Sequence, residues 1–132
     1  MFIDLDHFKS VNDTLGHKAG DMLLKIAAQR LSHCVRESDT VARLGGDEFT
    51  VILSQIDEFL DIKTIAERII NTLSQPFLLD NHEEASIAAS IGIALFPENG
   101  ADAETLLKNA DIAMYQAKES GRNAYRFLTT VT

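Results

Sequence analysis

Carboxylate side chains stand at two well-separated places in this sequence where they could hold a divalent cation. Asp4 lies within the apolar run Phe2-Ile3-Asp4-Leu5-Asp6, and a carboxylate beside so much apolar surface is costly unless it has a partner. Asp47 and Glu48 follow the pair Gly45-Gly46, whose freedom to take positive φ angles predicts a tight hairpin turn. If the strand that contains Asp4 lies beside this hairpin, the carboxylates converge.

Hard oxygen ligands of this kind suit magnesium, which takes few protein ligands and completes its shell with water and substrate phosphates. Phosphate groups are therefore the natural substrate chemistry. The simpler alternative is that Asp4 only begins a loop, where its side chain binds nearby backbone. The first strand alone favours that alternative, and the hairpin carboxylates shift the balance toward a cation.

Positive charge must lie near such a site to neutralise a polyphosphate, and the sequence offers Lys9, Lys118 and Arg122. Each of these cations taken alone is more simply explained as solvated surface. Asn12 and Asp21 present donor and acceptor groups of the kind that can recognise a guanine edge, although a loop asparagine is more often a turn residue.

Composition argues against several other classes of function. The 12 Lys and Arg residues against 20 Asp and Glu give a net charge of −8 without a basic tract, which argues against binding nucleic acid. No apolar run reaches membrane-spanning length and Cys34 is the only cysteine, so we expect a cytoplasmic chain, or the cytoplasmic part of a larger membrane-associated protein. The histidines lack the spacing of a zinc site, and no Ser, His and acid set indicates a hydrolase.

The spacing of apolar residues predicts the elements that must position these side chains. We expect, in order, a strand at 1–5, a loop from Asp6 to Asp21, a helix ending near Arg36, a hairpin at 40–53, a helix at 58–74, a strand at 86–95, a helix from 103 and a strand at 124–128. Asp57 and Asp102 are the expected N-caps of the last two helices, and Gly121 suits the turn that ends the final one.

The strand at 86–95 alternates isoleucines with small residues, so we expect it to be central and another element to approach its small-residue face closely. Helices that alternate with strands, one pair of which is antiparallel, predict an α+β fold with a mixed central sheet and helices packed on it. With 132 residues the chain fits one such domain, which we expect to span 1–132.

The segment Arg43-Leu44-Gly45-Gly46-Asp47-Glu48-Phe49 contains the five-residue signature of the GGDEF family. Further segments resemble that family's motifs: Phe2-Ile3-Asp4-Leu5-Asp6-His7-Phe8-Lys9, Val11-Asn12-Asp13-Thr14, Gly16-His17, Gly20-Asp21, Ser90-Ile91-Gly92 and Tyr115-Gln116-Ala117-Lys118-Glu119-Ser120-Gly121-Arg122-Asn123. The resemblance runs from Met1 to about Phe127. It implies the palm-like fold of nucleotide cyclases and polymerases.

The resemblance also implies roles for individual residues. Magnesium or manganese would bind Asp4, Asp47 and the backbone carbonyl of Leu5, and Glu48 would help organise a second metal or the attacking hydroxyl. Asn12 and Asp21 would recognise guanine, and Lys9, Lys118 and Arg122 would contact the triphosphate. Gly45 and Gly46 would let backbone amides lie against the nucleotide.

The implied reaction joins two GTP molecules into cyclic di-GMP with loss of pyrophosphate. Family members work as homodimers whose half-sites face each other, and regulatory domains in a longer parent protein control them. One alternative is a catalytically inactive receptor that binds GTP or cyclic di-GMP. A class III nucleotide cyclase is a weaker alternative, because it would lack the hairpin signature that this sequence contains.

A second binding site is implied by Arg36-Glu37-Ser38-Asp39, which matches the family's Arg-x-x-Asp inhibitory motif. Arg68 resembles the second arginine of that site. Because arginine forks suit phosphates and guanine edges, the resemblance implies that cyclic di-GMP binds there and inhibits. The alternative is that Arg36 and Asp39 form an exposed ion pair with no ligand.

The sequence departs from the family at its start. Family members usually begin earlier, with an Asp-x-Leu-Thr motif, a helix and the first half of the opening strand. We therefore expect one apolar face of the sheet to be left uncovered, a face that such a helix or a second copy of the chain would cover.

Overall fold

The computed structural model describes residues 1–128 and consists of a five-stranded sheet with helices on both faces. In chain order the elements are β1 (Phe2–Asp6), α1 (Phe8–Leu15), α2 (His17–Cys34), β2 (Thr40–Gly45), β3 (Glu48–Ile52), α3 (Phe59–Leu73), β4 (Phe77–Leu78), a 3₁₀ turn (Asp80–His82), β5 (Glu84–Ala85), β6 (Ala88–Ile93), α4 (Ala103–Glu119) and β7 (Ala124–Phe127). The order across the sheet is β2-β3-β1-β6-β7, and β4 pairs with β5 in a separate hairpin.

The predicted mixed sheet is confirmed, as is its antiparallel hairpin, and two further strand pairs are antiparallel as well. β1 pairs antiparallel with both β3 and β6, and β2 pairs antiparallel with β3. Within the sheet that residues 1–128 form, only β6 and β7 run parallel. The spacing of residues along one strand does not encode which distant strand it will pair with, so these directions could not be read locally.

Strand β1 lies in the middle of the sheet, and all five of its residues are buried. Ile3 and Leu5 belong to the larger core, which α1, α2 and α3 complete. Phe2 packs on the opposite face against α4. Because side chains alternate along a strand, Asp4 and Asp6 lie on the same face as Phe2, toward α4.

The close approach predicted for the small-residue strand occurs between β6 and α4. A Cβ atom on Gly92 would lie 1.9 Å from the carbonyl oxygen of Ala110 and 2.2 Å from the amide nitrogen of Met114. The strand is interior, between β1 and β7, as expected. Glycine is therefore required at position 92 for α4 to lie directly on the sheet.

The loop predicted from Asp6 to Asp21 is wrong, because that segment forms α1 and the first turn of α2. Phe8 and Val11 are three residues apart and both bury, which gives α1 an apolar side despite its polar composition. Gly16, with φ of 95°, separates the two helices, and its N–H donates to the carbonyl of Asn12. Because most residues of this segment are polar, its sequence did not indicate the short amphipathic helix α1.

The predicted helix ends are correct at one helix and wrong at another. Asp102 caps α4, since its Oδ1 accepts a hydrogen bond from the Thr105 amide at 2.7 Å. Glu58, not Asp57, is the N-cap residue of α3, and its side chain makes no capping bond. Gly121 adopts a φ of 116° directly after the end of α4, as the sequence predicted.

An apolar groove of about 710 Å³ lies on the α4 face of the sheet, beside β3. Its lining includes Ile52, Phe96 and Leu107, which are 61%, 68% and 42% exposed.

Among the described residues, no helix is both long enough and apolar enough to cross a membrane.

Replacing Gly92 with alanine should destabilise the protein, because the added methyl group collides with the backbone of α4. The expected loss in the free energy of unfolding is about 1–3 kcal/mol, measured by urea denaturation. Ala42→Val is the control, since it adds carbon atoms on the exposed face of β2 and should change stability by less than about 0.5 kcal/mol. Equal stability of Gly92→Ala and wild type would contradict the described contact between β6 and α4.

Candidate functional site

The segments that contain Asp4 and Asp47 meet where β1 and β3 lie side by side. The amide of Leu5 donates a hydrogen bond to the Asp47 carbonyl at 3.1 Å. Across the same ladder Asp4 is the pairing partner of Glu48. The structure therefore brings the two acidic segments of the sequence together at one end of the sheet.

Burial governs the chemistry of Asp4, which is only 6% exposed. Desolvation raises the pKa of this carboxyl group from 3.8 to about 6. The ammonium group of Lys118, whose Nζ lies 2.7 Å from Oδ2, acts in the opposite direction, while the charges of Asp47 and Asp6 raise the pKa further. The ionised form of Asp4 is thus stabilised by nearby positive charge.

The other oxygen of this carboxylate, Oδ1 of Asp4, is buried and has no hydrogen-bond partner. A buried acceptor without a donor is costly, and a hard cation would satisfy it. Across residues 1–128 no three His, Cys, Asp or Glu side chains converge, so an ion here must take further ligands from backbone, water or substrate. Magnesium binds in this manner, so the residues present fit a divalent ion of that kind.

The hairpin tip differs by one residue from the predicted turn. Gly45 is the last residue of β2 and pairs with Glu48, so the two turn residues are Gly46 and Asp47. Gly46 has a φ of 51°, which favours glycine, and Arg43 donates from Nε to its carbonyl at 3.0 Å. Both glycines are exposed, with open space where a side chain would stand, so the backbone of the tip is accessible to a ligand.

A second group of candidates lies on α1 and α2, immediately after β1. Lys9 and Asp21 are exposed, while Asn12 is half-buried. The Oδ1 atom of Asn12 is buried without a partner and lies 1.7 Å from where a Cβ on Gly20 would be. Gly20 thus lets α2 approach Asn12, and the neighbouring Asp21 is brought to the same helix pair.

The remaining cations lie where α4 ends. Lys118 is in the last turn of α4 and forms the ion pair with Asp4. Arg122 is exposed and lies four residues later, in a turn where it has a φ of 64°. Lys118 is therefore already at the acidic site, and Arg122 is held close to it along the chain.

Arg36 and Asp39 form a connected ion pair at the surface. The Arg36 backbone amide donates to Asp39 at 2.9 Å, and its Nε lies 3.3 Å from the same oxygen. Asp39 also accepts from the Ser54 amide at 3.1 Å. Burial of the Asp39 side chain raises its pKa, but these hydrogen bonds outweigh that effect and hold the pKa below its ordinary value.

Arg68 approaches the same region from α3 and donates from Nη1 to the Cys34 carbonyl at 3.1 Å. Arg36 and Arg68 both line a cavity of about 340 Å³ between the end of α2, the start of α3 and the segment before it. The structure thus joins two arginines that are distant in sequence. Asp57 and Asp61 line the same cavity, so its walls contain both signs of charge.

Three residues of the site were not singled out from the sequence. Asp6 is 3% exposed, and both of its carboxylate oxygens accept from the Ser90 hydroxyl, at 3.0 and 2.8 Å. The Asn123 amide donates to Asp6 at 3.2 Å. The two-residue spacing of Asp4 and Asp6 was the available signal, since it places both carboxylates on one face of β1.

Comparison with protein families shows where such a sequence recurs. The family model described as "Diguanylate cyclase, GGDEF domain" matches residues 1–124. The chain is 51% identical over 127 residues to the bifunctional diguanylate cyclase/cyclic di-GMP phosphodiesterase MucR of Pseudomonas aeruginosa, covering 96% of this chain and 18% of MucR. It is 43% identical to the cyclic di-GMP phosphodiesterase NbdA of the same species, covering 98% of this chain and 16% of NbdA. The chain thus spans less than a fifth of either relative.

Solved structures agree with the fold. The GGDEF domain of YfiN (TpbB) from Pseudomonas aeruginosa has a TM-score of 0.94 and 45% identity, covering 98% of this chain and 81% of that one. The GGDEF domain of DgcB from Caulobacter crescentus, solved in complex with c-di-GMP, has a TM-score of 0.85 and 28% identity, covering 98% of this chain and 76% of that one.

The raised pKa of Asp4 should make the metal-free protein less stable as the pH rises. Because the native pKa of about 6 exceeds 3.8, the native state holds this proton more tightly than the unfolded state does. The contribution of this proton to the free energy of unfolding is fully present below pH 3.8 and is lost as the pH rises through about 6. A shift of this size corresponds to about 2–3 kcal/mol.

Urea denaturation in the presence of a chelator, repeated over this pH range, measures the effect. The difference in stability between Asp4→Asn and wild type should grow in favour of the variant as the pH rises. Asp111→Asn, which changes an exposed carboxylate of α4, should follow wild type throughout. A constant difference between Asp4→Asn and wild type at every pH would contradict the assigned effect of burial.

Proposed function

The chain belongs to the diguanylate cyclase GGDEF domain family, and from that membership we propose that it condenses two GTP molecules into cyclic di-GMP with release of pyrophosphate. The observation that carries the proposal is the meeting of the Asp4 and Asp47 segments, with Lys118 bound to Asp4. We assign the activity to one domain spanning 1–132. Residues 129–132 lie outside the described part of that domain.

Magnesium or manganese would be held by Asp4, Asp47 and the backbone carbonyl of Leu5, with Glu48 organising a second ion or the attacking hydroxyl. A divalent ion there would lower the pKa of the ribose 3′-hydroxyl and neutralise charge on the phosphates. Asp4 must be ionised to bind it. Its raised pKa means that ion binding and proton loss are linked, so acid conditions compete with the ion.

The remaining residues of the proposed site would bind the nucleotide. Lys118 is already fixed beside the carboxylate site, where its ammonium group would contact the triphosphate together with Arg122 and Lys9. Asn12, with its unpartnered buried oxygen, and Asp21 would recognise guanine. The open backbone at Gly45 and Gly46 would let the nucleotide lie against the hairpin tip.

Catalysis by this arrangement requires two copies of the chain. We assign one GTP to each domain, and each GTP supplies the 3′-hydroxyl that attacks the α-phosphorus of the other. The two half-sites must therefore face each other in a homodimer. In a longer protein, regulatory domains would control activity by controlling how the two copies meet.

The main alternative is a receptor that binds GTP or cyclic di-GMP without catalysis. A similar sequence region occurs in NbdA, which is named for phosphodiesterase activity, so sequence similarity in this region does not by itself establish a working cyclase. The intact set of Asp4, Asp47, Lys118 and Arg122 favours the enzyme.

Incubation with GTP and magnesium should yield cyclic di-GMP, detected by chromatography and mass spectrometry. The initial rate should rise more steeply than the first power of protein concentration while the dimer is incompletely formed. Asp47→Asn should lower the rate by about 100-fold or more, because a charge that stabilises the transition state is lost. Asp111→Asn should retain the wild-type rate.

Absence of product at high protein concentration, with either magnesium or manganese, would rule out catalysis by this chain. Calorimetric titration with GTP then separates the alternatives. Binding of GTP without turnover would favour the non-catalytic receptor. No binding of GTP would exclude both the cyclase and a GTP receptor.

Cyclic di-GMP would also bind as an inhibitor in the cavity between Arg36 and Arg68. Two arginine forks there suit the phosphates and guanine edges of the product, and Asp39 holds Arg36 in place. The DgcB domain, solved with c-di-GMP, establishes that a relative binds this ligand. Inhibition of this chain at this cavity remains our proposal.

Calorimetric titration of cyclic di-GMP into wild type and Arg36→Ala tests this site. The variant should bind at least about 10-fold more weakly, since a charge-assisted bidentate contact is lost. Arg126→Ala, which removes an exposed arginine of β7, should bind as wild type does. Equal affinity in wild type and Arg36→Ala would refute the assignment.

A further inference from the structure

Asp6 is a buried carboxylate to which the proposed mechanism gives no role. It is 3% exposed, and every hydrogen bond described for its side chain comes from two places: the hydroxyl of Ser90 on β6 and the backbone amide of Asn123. Carboxylates are seldom buried without such compensation. Asp6 therefore joins three segments: the end of β1, the middle of β6 and the connection between α4 and β7.

The connection between α4 and β7 has an unusual backbone. The Arg122 amide donates to the Ala117 carbonyl at 3.1 Å and the Gly121 amide to the Lys118 carbonyl at 3.2 Å, which together form a Schellman motif. Gly121 accordingly has a φ of 116°, but Arg122 and Asn123 continue in the left-handed region with φ of 64° and 49°. Two successive non-glycine residues in this region are strained and persist only where other contacts hold them.

The contact that Asp6 makes lies directly after the strained Arg122. Asp4 and Asp6 share one face of β1, and both bind the same stretch of chain: Asp4 binds the side chain of Lys118, and Asp6 binds the amide of Asn123. Arg122 lies between these two attachments. Its backbone is thus fixed relative to the strand that contains the cation site, although its side chain is exposed.

We propose that Asp6, held by Ser90, is a positioning residue that fixes the left-handed turn at Asn123 and thereby directs Arg122 toward the phosphates of the bound nucleotide. The proposal rests on the proposed nucleotide site and deepens it. Asp6 acts through Arg122 and not by touching the substrate. Removing Asp6 should therefore weaken nucleotide binding only while Arg122 is present.

A double-mutant cycle measures this dependence. The affinity for GTP with magnesium is determined by calorimetry for wild type, Asp6→Ala, Arg122→Ala and the double variant, each at a pH where the protein is folded. Asp6→Ala should weaken binding by about 10-fold in wild type and by less than about 2-fold when Arg122 is already alanine. Asp6→Asn retains one oxygen that can accept from Asn123, so it should recover most of the lost affinity. Asp111→Asn is the matched control.

The same cycle contains the outcomes that overturn the proposal. Equal losses from Asp6→Ala with and without Arg122 would show that Asp6 acts independently of that arginine. Affinity unchanged in Asp6→Ala would show that it has no positioning role. If wild type binds GTP but makes no cyclic product, the cyclase proposal fails. The double-mutant cycle still tests the role of Asp6, because it measures GTP affinity and not turnover.

Hydrogen exchange at the Asn123 amide gives a test that does not depend on nucleotide binding, and its first measurement uses the wild-type protein alone. In wild type this amide should be protected and its proton shifted downfield, although the residue is exposed, because it donates to a buried carboxylate. Ser90→Ala should reduce the protection, since Asp6 loses its other donor. Free exchange of this amide in the wild-type protein would refute the contact on which the proposal depends.

Discussion

The burial of carboxylates on one face of β1 is the constraint on which the rest of the structure depends. Asp4 and Asp6 point toward α4 from the middle strand of the sheet, where water cannot solvate them fully. A buried carboxylate requires donors or cations, and the chain supplies them from elements that lie far apart in sequence. Lys118 comes from α4, Ser90 from β6, and the Asn123 amide from the turn before β7.

The two carboxylates are satisfied to different degrees. Both oxygens of Asp6 have donors, whereas Oδ1 of Asp4 has none. This difference separates a residue that maintains the fold from one that remains available to a ligand. The pKa of Asp4 rises to about 6 because burial disfavours the charged carboxylate and Lys118 offsets this only in part. Such incomplete satisfaction costs stability and is common where a protein binds or transforms a ligand.

The sequence predicted the elements whose apolar residues have a clear period. The hairpin at Gly46, the helix at α3 and the alternating strand β6 all lie close to where spacing placed them. The prediction was wrong for residues 6–21, because the many polar side chains there indicated a loop where the chain forms α1. It also gave no role to Asp6, because the donors that satisfy it follow Asp6 by 84 and 117 residues in sequence, and only tertiary structure brings them together. The meeting of the Asp4 and Asp47 segments could be predicted, because both segments resemble motifs of one family.

The geometry of β1 explains why so many candidate residues gather at its carboxyl end. His7 follows the strand with a φ of 71°, so the chain turns at once into α1, and Lys9 and Asn12 follow within two turns of helix. Asp6, the last residue of the strand, binds the turn after α4. A change in the position of this strand end would move together the residues proposed to bind guanine, those proposed to bind the cation, and Arg122.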